Sequence, residues 1–146
     1  MALQGQIPIE FGMVFPAGAY AAGGIEMVRD FDRSTPDRLV QQADKETGLP
    51  LWVVEVIDAQ ENARQRTVKV KIAAQVQPVL PAPAPGSPFT AVEFDGMTAT
   101  PYVDASRCSG DGKNKCAARQ AYSFKATGVR APSRGIGRPA EHKDAA

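Results

Sequence analysis

The sequence predicts an all-β domain, a small Greek-key barrel of five strands. Three observations carry this expectation. Val68, Val70 and Ile72 alternate with Thr67, Lys69 and Lys71, the period of two that marks a strand with one apolar and one charged face. Glycines interrupt the apolar stretches at Gly12, Gly23, Gly24 and Gly96, where strands of a small barrel bend or bulge. No long stretch carries the apolar stripe of a helix. An open β-sandwich is the second-best fit to the same pattern.

The N-terminal stretch, residues 7–15, reads as a short strand broken by Gly12, with Pro16 and Gly18 turning the chain. Residues 19–31 read as one long strand kinked at Gly23 and Gly24. Their alanines also suit a helix, but the glycine pair and the missing stripe argue against it. Residues 32–47 are polar; Ser34-Thr35-Pro36-Asp37 has the form of a helix start, so one helical turn or a loop both fit.

Residues 48–75 form the central hairpin. In its first arm Trp52, Val54 and Val56 share one face, and Leu51, Val53, Glu55 and Ile57 the other. A buried, unpaired Glu55 would be costly, which assigns Trp52, Val54 and Val56 to the core. Leu51, Val53 and Ile57 then stand outward beside Lys69 and Lys71. A face of that kind is normally covered by another segment, a second subunit or a ligand, so a homodimer is expected. Residues 59–65 connect the arms. Residues 77–88 hold five prolines in twelve positions, which suits an extended crossover rather than a strand; a peptide-recognition motif is the sharper alternative.

Residues 89–103 are strand-like again. Asp95-Gly96 is either a two-residue hairpin turn or a bulge in one long strand, and the bulge is preferred. Residues 104–120 form a polar, basic loop. Residues 121–127 make the last strand, with Tyr122, Phe124 and Ala126 inward and Ser123 and Lys125 outward. The organisation is therefore an OB-like β-barrel over residues 1–127 and a disordered basic and polar tail over residues 128–146, where Gly, Pro and charge dominate. Val54, Val56, Val68, Val70, Ile72, Tyr122 and Phe124 are the expected buried set.

The formal net charge is +1, so no global field demands nucleic acid, although a local patch can still bind it. No apolar run is long enough to span a membrane, and MALQGQIPIEFG lacks the basic start and apolar centre of a signal peptide; a cytoplasmic protein is expected. Cys108 and Cys116 are then expected as reduced thiols, with a loop disulfide or a shared metal as the alternatives. They are too few for a zinc site on their own.

Catalysis finds little support. The single histidine, His142, lies in the polar tail, so no Ser-His or Cys-His pair is evident. Asp30 with Asp32, and Asp37 with Asp44, read as solvated surface groups. SGDGKNK, residues 109–115, lacks both P-loop spacing and the ligand alternation of a calcium loop, and GIG, residues 135–137, is too short for a dinucleotide fingerprint. The expectation is a non-enzyme with no cofactor and no metal.

Nucleic-acid binding is better supported. Lys69 and Lys71 project from one strand and Lys125 from another, while Arg107, Lys113, Lys115 and Arg119 sit in one loop and Arg33, Arg38 and Lys45 in another. A five-stranded barrel binds single strands across this face and its bordering loops, combining cations for phosphates with rings for bases. Tyr20, Tyr102 and Phe89 are the candidate rings. The plain counterpart is a solvated basic face with the rings in the core or at its rim, and Glu55 weakens the footprint.

DFDRSTPDRLVQQADKETGLPLWVVEVID, VKVKIAAQVQPVLP, FTAVEFDGMTATPYV and AYSFKATGVRAP together resemble the plasmid replication, integration and excision activators of actinobacterial mobile elements. The likeness runs over residues 7–132, and DKETGLPLW and VKVKIAAQVQP are its most specific pieces. It implies a regulator of replication and excision of an integrative element and supplies no catalytic residues. A weaker likeness, of pattern alone, is to the gene V type single-stranded DNA-binding proteins of filamentous phage, which are small dimeric OB barrels. Three functions follow as expectations: a single-stranded DNA-binding accessory protein, a transcriptional activator on duplex DNA, and an interaction module that binds a replication protein.

Overall fold

The computed structural model describes residues 5–108 and 117–133. The chain is nearly all-β, a curled open sheet that forms a half-barrel. Its elements in order are β1 (Ile7–Pro8), α1 (Phe11–Val14), β2 (Ala19–Ala21), β3 (Glu26–Met27), β4 (Leu51–Asp58), β5 (Thr67–Ala73), β6 (Thr90–Asp95), β7 (Thr98–Asp104), β8 (Arg119–Ala126) and β9 (Gly128–Arg130). The sheet has nine strands where five were expected, in the order β1-β7-β8-β5-β4-β2-β6-β9, with β3 also on β4.

The central hairpin forms as the alternation dictates. Leu51 pairs with Ala73 and Ile57 with Thr67 across β4 and β5. Val54, Val56, Val70 and Ile72 are buried, while Lys69 is exposed and Lys71 half-buried on the opposite face. The register is thus the one that keeps both lysines out of the core, and a slip by one residue would reverse it. Trp52 is half-buried, its indole N–H donating to the Ala74 carbonyl at 3.0 Å.

β2 and β3 both pair with β4, at Ala21–Val56 and Glu26–Val53. Between these pairs the first strand carries Ala22 to Ile25 against only Val54 and Glu55 of the second, so the Gly23-Gly24 kink is a bulge in one interrupted strand. Residues 7–15 differ from expectation. Only Ile7–Pro8 is strand, and Phe11–Val14 makes a single helical turn closed by the Phe15 N–H on the Phe11 carbonyl at 2.9 Å. That turn drops Phe15 into the core, where it is fully buried. Residues 32–47 hold turns and isolated bridges, Thr35 to Arg38 among them, and no helix.

β6 and β7 are separated by Gly96 and Met97 alone, and β8 and β9 by Thr127 alone. Asp95 pairs with Gly128 and Thr98 with Lys125: three residues along one arm match three along the other. Both pairings therefore belong to one continuous hairpin bent in its middle, which excludes a turn at Asp95-Gly96. The expected boundary after residue 127 falls inside this hairpin, because Gly128–Arg130 continues the sheet along β6. Residues 134–146 lie outside the described residues. The Pro-rich stretch makes the expected crossover from β5 to β6. Leu80 packs against the core, and the Gln77 amide donates to the Ile25 carbonyl at 2.8 Å.

Cys108 is disulfide-bonded, which corrects the expectation of a reduced thiol. The chain's other cysteine, Cys116, lies outside the described residues. Among the described residues no helix is long and apolar enough to cross a membrane.

Gly96 sits at φ +59°, and a Cβ built there would come within 2.5 Å of the Thr127 hydroxyl oxygen. Gly86 has a similar φ of +77° with nothing within 4 Å. Gly86→Ala should therefore cost about 1 kcal/mol from backbone strain alone. Gly96→Ala should cost roughly 2–4 kcal/mol, because Thr127 and the bend must move as well. Denaturant midpoints of the two variants check this, and equal losses would mean that the contact with Thr127 does not constrain the bend.

Candidate nucleic-acid interface

β5 and β8 run parallel, but they pair over only Val70–Phe124, Lys71–Lys125 and Ile72–Ala126. Toward the start of both strands the two hairpins, β4–β5 and β7–β8, are no longer paired. The gap is an open groove of about 390 Å³ lined by Val53, Glu55, Lys69 and Lys71 from one hairpin and Tyr102, Tyr122 and Ser123 among others from the second.

This geometry explains one miss. Tyr122 was expected inside with Phe124, and its alternation is right, but it is 49% exposed. At its level β8 has left β5, so the inward face of β8 meets the groove instead of the core. Phe124, one step closer to the parallel pairs, packs against the core, and the two rings lie 6.5 Å apart in a stacked arrangement. Tyr102, on the other arm, is 51% exposed and lines the same groove. Sequence reasoning placed Tyr102 among the candidate rings and left Tyr122 out. The available signal was the length of the last strand beyond what a small core can cover.

The remaining candidates are scattered. Tyr20 is half-buried between Ile57 and Ala91 on β2, two strands away from β5. Phe89 precedes β6 and is partly exposed. Arg107 is exposed in the turn after β7, and the Arg119 guanidinium meets Asp104 at 3.4 Å. Lys113 and Lys115 lie outside the described residues. The structure thus brings together Lys69, Lys71 and Tyr102 in one groove and leaves Tyr20 and Phe89 apart from it.

Lys125 was expected as a free outward cation. Its ammonium donates to the Asp44 carboxylate at 2.8 Å, with Glu46 at 3.9 Å. The Lys125 side chain is 18% exposed and that of Asp44 6%. Asp44 is therefore a buried ion-pair partner and not the solvated surface group the sequence suggested. Burial pushes its carboxyl up. Hydrogen bonds from Lys125 and Thr47, with the charge of Lys125, outweigh that and hold it below the usual aspartate range. By contrast, neither Lys69 nor Lys71 forms an ion pair among the described residues, so both ammonium groups remain open to an anionic ligand.

The outward apolar set that suggested a homodimer is largely covered within the chain. Leu51 is buried. Its carbonyl accepts from the Val28 N–H and the Gln41 amide, and its N–H donates to Gln42, all from the loop before β4. Val53 lies between Glu26 and Lys71, and Ile57 between Tyr20 and Thr67. No family model, curated protein or solved structure matches the chain.

The Asp44–Lys125 pair ties the loop before β4 to β8, and Asp44→Ala should cost on the order of 3 kcal/mol by leaving a mostly buried ammonium with only the exposed Glu46 at 3.9 Å. A carboxyl held below its unfolded value stabilises fully above the ordinary aspartate pKa of about 3.9 and loses that contribution as pH falls through its folded value. The parent's stability should therefore drop below about pH 4 more steeply than that of Asp44→Asn. Denaturant titrations between neutral and acid pH measure the difference, and parallel curves would show that the pair contributes nothing to acid stability.

Proposed function

We propose that this protein is a non-catalytic single-stranded DNA-binding accessory protein, and that eight of its nine short strands act as a five-stranded OB-like barrel. The pairings support that grouping. β2 with β3, then β4, then β5 form an antiparallel meander. The β8–β9 strand lies parallel beside β5, and the β6–β7 strand runs antiparallel to it and returns to β2. Grouped so, these eight would make a Greek-key closure of five long strands, with β1 added beside β7.

One observation carries the functional reading: Lys69 and Lys71, which form no ion pair among the described residues, line the same groove as the exposed Tyr102 and Tyr122. Cations spaced along a strand can follow a phosphate chain, and rings beside them can stack bases of any identity. A duplex is disfavoured as the ligand, because its bases are already stacked and paired. The longest helix among the described residues has four residues, too short to read a major groove. A role in replication and excision of a mobile element, with a replication protein as a further partner, rests on the sequence resemblance. So does a homodimer, now that Leu51 is covered within the chain. A cytoplasmic setting suits that role, and the disulfide at Cys108 pulls against it, since such bonds are rare there.

The test is a titration with an unstructured oligonucleotide across a range of salt, for the parent and for a Lys69→Ala, Lys71→Ala double variant. The parent should bind the single strand more tightly than a duplex of the same length. The variant should bind several-fold more weakly, with a salt slope lower by roughly 0.7 for each phosphate that it no longer neutralises. Equal affinity and slope for the two proteins would make the lysines a solvated face. No binding by the parent at low salt would leave the protein-interaction module as the better reading.

A further inference from the structure

Glu55 is an awkward residue for a phosphate-binding groove, and the structure makes it more so. It stands directly opposite Lys69 across β4 and β5, is exposed and lines the groove together with Lys71, Tyr102 and Tyr122. Its carboxylate makes no ion pair or side-chain hydrogen bond among the described residues. A carboxylate so placed repels phosphate, and its two oxygens accept hydrogen bonds only.

We infer that Glu55 is a base-selecting residue: it accepts hydrogen bonds from the edge of an unpaired base stacked on Tyr102 or Tyr122, and so favours guanine over thymine. This rests on the single-strand reading above. The chemistry follows from the base edges. An unpaired guanine presents its N1–H and N2 amino group side by side, two donors that match the two oxygens of one carboxylate. Thymine presents a single N3–H between two carbonyl oxygens, which a carboxylate meets with repulsion. Cytosine and adenine each offer one amino donor next to an acceptor and fall between. Unpaired bases are read in this way, stacked on aromatic rings and hydrogen-bonded on their Watson–Crick edges, and a good bidentate contact discriminates strongly between bases. The division of labour in the groove is then complete. Lys69 and Lys71 hold the backbone, the tyrosines hold the ring faces, and Glu55 reads the edge.

The experiment compares an oligothymidylate with the same oligomer carrying isolated guanines, at one low salt concentration, for the parent and for Glu55→Gln. The phosphates are identical in number, so any difference comes from the bases. The parent should bind the guanine-containing strand roughly tenfold more tightly, and Glu55→Gln should lose most of that preference while its thermal midpoint stays unchanged. Equal binding of both strands by the parent overturns the inference and leaves the single-strand reading intact. So does a Glu55→Gln variant that binds both strands better by the same factor, for then Glu55 only repels phosphate. Binding of neither strand by the parent overturns the single-strand reading and this inference with it.

Discussion

The bend at Gly96 is the constraint on which the rest of the fold depends. One long hairpin must serve two parts of a curled sheet: its β6–β9 half lies against β2, and its β7–β8 half lies against β5. A straight ribbon cannot do both. The turn of direction falls at Gly96, opposite Thr127, whose N–H and hydroxyl both donate to the Asp95 carbonyl at 2.9 and 3.1 Å. Arg130 reinforces the β6–β9 half through Asp95 and Glu93, each at 2.8 Å. These are exposed pairs, so they add geometry more than stability. The core gathers under the bend, where Val92, Phe94, Met97 and Ala126 are all buried.

The groove is a consequence of the same hairpin. Having reached β5, β8 pairs with it over three residues and leaves the rest of its length unsupported by the core. The β7–β8 arm therefore projects: Tyr102 shares the face of Lys125 and Lys71, while Tyr122, on the face of Phe124, meets the open groove where the core has ended. The loop before β4 closes the other end. Asp44 reaches Lys125 and fixes the cation that would have extended the row beyond Lys71. The basic side of the groove is thus shorter than the cation count of the chain implies, in a protein of nearly neutral net charge.

Much of the fold was legible in the sequence. The alternation in residues 67–72 determines which face of β5 is buried, and Glu55 decides the same question for β4. The Gly23-Gly24 bulge, the Pro-rich crossover and the continuous strand through Gly96 were also readable, because each depends on local backbone chemistry. The parts that were not readable depend on long-range geometry. Nothing local tells that β8 peels away from β5 at Tyr122, or that Asp44 lies against a lysine 81 residues away. The helical turn at residues 11–14 escaped because its apolar residues also suit a strand. The thiol expectation for Cys108 rested on an inferred compartment rather than on the loop itself, and the structure places that residue in a disulfide.

The central claim is that a single strand lies in the groove between the two hairpins. The most direct test is to follow the backbone amide resonances of isotope-labelled protein while a short unstructured oligonucleotide is added at low salt. The account expects shifts concentrated at Glu55, Lys69, Lys71, Tyr102, Tyr122 and Ser123, fading as salt is raised. Shifts confined to the loop before β4 or to the β6–β9 half of the hairpin, or none at all, would contradict it.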